Sequence, residues 1–323
     1  MNSFSELAFA YDEPPFSADF RSDIEDFIVA EDLGFELCGE GEHLCLQIEK
    51  RGENTHWVAE NIARQLGIKV LDVSYCGKKD RYAITSQWFS AYLPKREVEP
   101  ALLHKLGSLN PDGTCASTKL LNHSRHKKKL RRGEHEGNDF RIRLRNISAK
   151  ARLDIDPRLQ NIRDLGVPNY FGEQRFGREG NNLQLFDDMF VSKKAKLRRN
   201  QKSMLLSAAR SHLFNLVLSA RVRDGSWRSV ETGPLWGRGE LSGTEIEKHY
   251  ETNALLAWQQ WRDALEHVGL FQERRQLVLL PRSLQWQWAA EDILDVAFSL
   301  SSGEFATVVL REIVSLNNVQ HLT

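Results

Sequence analysis

A chain of 323 residues is too long for one small core and long enough for two domains, each burying a sizeable apolar interior. Its 44 Lys plus Arg balance 44 Asp plus Glu, so net charge points to no polyanionic partner and any such signal must come from local patches. No eighteen apolar residues run together, MNSFSELAFAYDEPP lacks the pattern of a secretory leader, and Cys38, Cys45, Cys76 and Cys115 form no CxxC pair or His-flanked cluster. These absences speak against a membrane span, a secretory signal, a zinc site and a disulfide framework, so a cytoplasmic protein with reduced thiols is expected.

In chain order, Phe27 and Val29, then Leu44, Leu46 and Ile48, alternate with polar residues, and the turn Gly39-Glu40-Gly41-Glu42 separates them; two or three strands are expected between Glu25 and Glu49. Asn54 or Thr55 then caps a helix with Val58, Ile62 and Leu66 on its apolar face and Gly67 at its C-terminal end. Leu71 to Tyr75 leads into Gly77-Lys78-Lys79-Asp80-Arg81, followed by Thr85, Gln87 and Phe89 and by a strand over Trp88 to Leu93. That loop sets one carboxylate among three permanent cations, which keeps an acid ionised as a nucleophilic or basic Asp requires. Taken alone the same pattern also describes a solvated turn.

Two basic runs follow, RHKKKLRR at Arg125 to Arg132 and KKAKLRRNQK at Lys193 to Lys202, and such patches on a neutral chain suit phosphate contact. Between Gly137 and Arg145, Phe140, Ile142 and Leu144 alternate with Arg141, Arg143 and Arg145. That is a strand with one core face and one face offering a cationic row, or an edge strand carrying arginine for solubility. From about residue 163 the character changes: VPNYFGEQRFGREGNN at Val167 to Asn182, a long helix from Gln201 to Arg223, a Gly-rich passage from Thr232 to Gly243, and helical sequence from Glu245 to Glu266. Strand signals return after Leu280 with Leu284, Trp286, Trp288, Ile293, Val296 and Phe298. The middle segment therefore reads as an insertion between two halves of a strand-rich domain.

Four separated blocks now act together: EDFIVAE at Glu25 to Glu31 with GEGEHLCLQIEK and Asn54-Thr55, GKKDRYAITSQWFS at Gly77 to Ser90, VPNYFGEQRFG at Val167 to Gly177, and GEFATVVLRE at Gly303 to Glu312. In order and separation they resemble the TruD family of tRNA pseudouridine synthases along nearly the whole chain, and SHLFNLVLSARV and GPLWGRG look like that family's inserted domain. The departure is Lys78, where the family usually has an apolar residue before Lys-Asp; it bears on the packing of the loop and leaves Asp80 in place.

The resemblance implies an α+β fold: a pseudouridine-synthase-like catalytic domain with a mainly antiparallel mixed sheet, over 1–163 and 280–323, interrupted by an inserted α/β domain over 164–279. It implies an isomerase that converts uridine 13 in the D arm of tRNA to pseudouridine. No charge or oxidation state changes, so no redox cofactor, metal or nucleotide donor is expected, and the sequence offers no Walker-type or Gly-x-Gly-x-x-Gly loop. Asp80 is the implied essential carboxylate, as nucleophile or as base. Phe27, Asn138, Phe140 and Phe305 match the family's substrate-contacting positions, phenylalanines for stacking and an amide for the edge of an extruded uracil. Lys79, Arg81 and Gln87 are expected to support, by orienting Asp80 or meeting a phosphate. Tyr170, Phe171, Gln174 and Arg175 either touch RNA or build a hinge. The expected partner is tRNA, bound by a monomer. A catalytically silent tRNA-binding or tRNA-folding protein is the alternative, in which Asp80 is structural.

Overall fold

The computed structural model describes residues 4–106, 117–194 and 199–319; Cys115 and residues 195–198 of the second basic run lie outside them. The chain begins with strands β1 (Ser17–Phe20), β2 (Phe27–Asp32) and β3 (His43–Arg51), helix α1 (Thr55–Leu66), strands β4 (Val73–Tyr75) and β5 (Ile84–Tyr92) and helix α2 (Pro100–Leu106). Strands β6 (Thr118–His126) and β7 (Gly137–Arg145) lead to α3 (Arg152–Leu165), β8 (Val167–Pro168), α4 (Asn181–Phe186), α5 (Arg199–Arg223) and β9 (Thr232–Leu235). After α6 (Glu245–Ala254), α7 (Gln259–Glu266), β10 (Glu273–Gln276) and β11 (Val278–Leu279), the chain ends through β12 (Arg282–Ala290), β13 (Ile293–Ser301), α8 (Ala306–Arg311) and β14 (Ser315–Asn318). Among the described residues no helix is long and apolar enough to cross a membrane.

Contacts divide the chain into two compact units, Phe16–Asp154 with Pro281–Gly303 and Leu316–Thr323, and Met1–Pro15 with Ile155–Leu280 and Glu304–Ser315. The first is a mixed sheet in the order β12-β13-β7-β2-β5-β3-β6, with β4 on β5 and β1 beside β7 and β14. Among the described registers β2 pairs with β5 in parallel, while β1–β7, β12–β13, β13–β7, β2–β7, β3–β5, β3–β6 and β4–β5 are antiparallel. On β7 and β13 alternation decides the faces, since Phe140, Ile142 and Leu144 lie opposite Phe298, Val296 and Leu294 and all six are buried. Helix α1 covers part of that face with Val58, Ala59, Ile62, Ala63 and Leu66 against Leu44, Leu46, Ile48, Phe89 and Ala91. Its start is set by Asn54, whose side chain accepts from the His56 N–H, and its end by Gly67 at φ 65°, a left-handed turn that glycine adopts without steric cost.

The second unit is built around α5, which follows the expected helix from Gln201 to Arg223 with two more residues at its start. Asn215 of α5 holds the backbone of Phe171 in both directions: the Phe171 N–H donates to Asn215 Oδ1 at 2.8 Å, and Asn215 Nδ2 donates to the Phe171 carbonyl at 2.9 Å. The expected insertion ran over 164–279, whereas this unit also takes the N-terminal segment and the stretch carrying α8. Apolar burial is the reason. Val308, Val309 and Leu310 are buried, Phe305 meets Phe171 edge-on at 6.1 Å, and Arg311 lies 3.9 Å from the Phe9 ring and donates to the Leu7 carbonyl.

Glu312 follows α8 and accepts from the Ala10 N–H at 3.0 Å, and burial pushes its carboxyl up to about 7 against the opposing pull of Arg311. A carboxyl raised in the folded state stabilises the fold while protonated. That contribution is complete below its unfolded value near 4.5 and is lost as pH rises through about 7. Glu312→Gln keeps an acceptor for Ala10 and cannot ionise. Its melting temperature, measured from pH 4.5 to 7, should fall less with rising pH than that of the parent protein.

Candidate active site

The inward face of the first unit changes character where the strands approach the Asp80 loop. One row across the sheet reads Lys50, Thr85, Val29, Phe140, Phe298, and the next reads Ile48, Gln87 on β3 and β5, and Glu31, Asn138, Leu300 on β2, β7 and β13. Polar side chains thus sit at positions whose alternation is otherwise apolar. Lys50, Thr85 and Gln87 show no exposed surface and Glu31 only 4%. Groups buried this deeply need partners.

Most of those partners are in the loop itself. Gln87 Nε2 donates to the Gly77 carbonyl at 3.0 Å, and the Thr55 hydroxyl accepts from the Lys79 N–H at 3.0 Å while donating to Gln87 Oε1 at 3.0 Å. Lys50 Nζ donates to the Asp80 backbone carbonyl at 2.6 Å, and Arg81 Nε to the Gly52 carbonyl at 3.2 Å. Burial pushes the Lys50 ammonium down to about 8, the Asp80 carboxylate opposing the shift. Thr55, a cap candidate from sequence, therefore anchors the loop while Asn54 caps the helix. Thr55→Val keeps the shape and leaves the Lys79 N–H unpaired, which should cost about 1–3 kcal/mol in urea unfolding.

Asp80 faces a cation that sequence reasoning missed. Its Oδ2 lies 2.6 Å from Arg21 Nη2, and its Oδ1 accepts from the Tyr82 N–H at 3.1 Å. The exposed Lys78 and Arg81 and the half-buried Lys79 flank it in sequence, yet none is its ion-pair partner. Arg21 lies over two rings, 4.6 Å from the centroid of Phe20 and 4.5 Å from that of Phe27, and burial pulls its guanidinium below the usual value. Its backbone is at φ 60°, a conformation that costs a non-glycine residue about 1–2 kcal/mol. No local sequence pattern marks it.

Phe27 and Phe140 come together on this face, 6.1 Å apart, with Phe298 5.6 Å beyond Phe140 and Phe20 edge-on to Phe27 at 5.4 Å. Phe27 keeps 5% of its surface exposed and Phe140 9%, so neither presents an open stacking face. Asn138 joins them through Lys79, whose Nζ lies 2.6 Å from Asn138 Oδ1 and 2.7 Å from Glu31 Oε2. Lys79 is thus neutralised by a carboxylate, not aimed at a phosphate. Glu31 continues the inward phase of Phe27 and Val29, a signal that would have marked it as a buried acid in need of a cation. Cys76, which precedes the loop, is buried and its thiol is pushed up to about 12, first by burial and then by Glu31, so it offers no thiolate nucleophile.

Phe305, the remaining expected contact, belongs to the second unit. There the Arg175 guanidinium lies 5.4 Å from the Phe171 ring and 5.9 Å from that of Phe305. Tyr170 is fully buried with its hydroxyl on the Ala8 carbonyl at 3.0 Å, a packing role. The cationic row on β7 is largely cancelled, because Arg143 forks onto Asp295 at 2.7 and 2.8 Å and Arg145 onto Asp26 at 2.8 and 2.7 Å. In the first basic run Lys127 pairs with Glu40, while Lys128, Lys129, Arg131 and Arg132 are exposed and available to a polyanion.

The model of the family described as TruD, tRNA pseudouridine synthase D, matches residues 5–195. The chain is 48% identical over 323 residues to tRNA pseudouridine synthase D of Cellvibrio japonicus, covering 96% of this chain and 93% of that protein. It is 38% identical to the protein of the same description from Aeromonas hydrophila, covering 98% and 96%. A crystal structure from Methanosarcina mazei, described as tRNA pseudouridine synthase D (TruD), superposes with a TM-score of 0.70 over 97% of both chains at 20% identity, a likeness of fold.

Proposed function

The chain belongs to the TruD family of tRNA pseudouridine synthases, and from that premise we propose that it isomerises uridine 13 in the D arm of tRNA to pseudouridine with Asp80 as the essential carboxylate. The observation that carries the reading is the Asp80 carboxylate, paired with Arg21 in a loop tied at four points, on the sheet face that also holds Phe27, Asn138 and Phe140.

The reaction breaks the bond from C1′ to N1, turns the base, forms a bond from C1′ to C5, releases the C5 proton and returns a proton to N1, so that substrate and product are isomers. An ionised carboxylate has no proton to give and two oxygens to offer. Each Asp80 oxygen spends one lone pair on Arg21 or Tyr82 and retains another, which serves either attack at C1′ or removal of a proton. The anchored backbone keeps the carboxylate in place while the base turns. The uridine must leave its stack to be reached, and Phe27, on which the Asp80 partner Arg21 lies, and Phe140 supply apolar surface on that sheet face.

The test is tritium release from tRNA labelled at uracil C5, with the product position mapped. Release with pseudouridine at position 13 is expected. Pseudouridine elsewhere would overturn the site assignment, and tRNA binding without release would overturn the activity.

A further inference from the structure

Lys79 was expected to orient Asp80 or to meet a phosphate, and its contacts fit neither role. Its ammonium lies between Glu31 Oε2, on a side chain with no exposed surface, and Asn138 Oδ1. An ammonium carries donors only, so the amide atom turned toward Lys79 has to be the oxygen. On the other side Asn138 Nδ2 lies 3.4 Å from His135 Nε2. His135 is buried, and burial followed by the Lys79 charge lowers its pKa; with the Asn138 oxygen held by Lys79, the amide NH2 facing His135 donates and Nε2 accepts. Lys79 thus imposes the orientation, and His135 takes the matching tautomer. The Asn138 oxygen is committed to Lys79, one N–H goes to His135, and one N–H is left on a half-buried side chain beside the Asp80 loop.

We infer that Lys79, charge-balanced by Glu31, is a positioning residue that fixes the Asn138 amide with its N–H edge toward the substrate, so that Asn138 reads a carbonyl oxygen of uracil and not its N3–H. The inference rests on the proposed reading that Asn138 touches the target base. It has a chemical consequence for the rearrangement. A half-turn of uracil about the axis through N3 and C6 exchanges N1 with C5 and, with them, O2 with O4. A donor aimed at one carbonyl position therefore meets an oxygen both before and after the turn, and the same Asn138 N–H serves substrate and product.

A double-mutant cycle on kcat/KM for tritium release tests this. Lys79→Met alone would strand a buried carboxylate, so the paired change Glu31→Gln with Lys79→Met is used, with far-UV circular dichroism to check the fold. The pair is expected to lower kcat/KM about 10-fold or more in the parent protein and less than about 2-fold further in an Asn138→Ala background. Equal losses in both backgrounds would show a merely structural role and overturn the inference while leaving the site reading intact. An Asn138→Ala variant with unchanged kcat/KM would overturn both. Asn138→Asp leaves Lys79 and Glu31 untouched, keeps the acceptor for Lys79 and removes the N–H. It should be as impaired as Asn138→Ala, and retention of parental kcat/KM by it would overturn the donor assignment even if the paired variant does not fold.

Discussion

Asp80→Asn should lower tritium release from C5-labelled tRNA by at least about 100-fold while tRNA binding stays close to that of the parent protein. Asparagine preserves the size of the side chain and an oxygen for the Tyr82 N–H, and the Lys50 bond reaches the backbone carbonyl, which the substitution does not alter. The loop therefore keeps its anchors. Lost are the negative charge and, with it, both the nucleophile and the base, so the expectation holds for either route of bond cleavage. Equilibrium binding and single-turnover release on the same samples separate the two effects. Release at the parental rate would end the case for Asp80, and release abolished together with binding would point to a damaged loop rather than a missing catalytic group.

The second large effect is expected at Arg21, through a variant whose structural and functional consequences point in opposite directions. Arg21→Gly removes the cation from Asp80 Oδ2 and at the same time relieves a left-handed backbone at φ 60°. Loss of the partly solvated ion pair and of the contacts over Phe20 and Phe27 is offset by relief of about 1–2 kcal/mol of strain, so the unfolding free energy in urea should stay within about 2 kcal/mol of the parent. Activity should nevertheless fall about 100-fold, because a carboxylate without its partner is free to leave the attacking geometry. Arg21→Lys should retain part of it, keeping a charge and losing the flat contact over Phe20 and Phe27. If Arg21→Gly unfolded the protein, Arg21 would be a structural residue; if it were fully active, the ion pair would be irrelevant to the reaction.

Much of the fold was legible because alternation and capping are local. Strand β7 spans the stretch read from its period of two, α1 begins and ends where Asn54 and Gly67 require, and the long helix lies where the apolar spacing put it. The stretch from Glu245 to Glu266 is less regular than it read, since a short 3-10 turn at Leu256–Trp258 divides it into α6 and α7. The arginine row of β7 was legible as a row, but not its neutralisation, which depends on Asp295 and Asp26 arriving from β13 and from the turn before β2.

The sequence by itself determined strands β2, β3, β5, β7, β12 and β13, the capped helix, the position of Asp80 in a loop between ordered elements, and the blocks that resemble the TruD family. Each of these is written in neighbouring residues, where spacing and side-chain chemistry act over a turn or a strand. Only the tertiary structure decided which cation meets Asp80, which acid neutralises Lys79 and which way the Asn138 amide faces. Those pairings join the residue after β1, and strands β2 and β7, to the Asp80 loop, and they follow from sheet register and burial. Charge attraction fixes no partner until the fold has brought two chain-distant groups within bonding distance and removed the water that would otherwise solvate them.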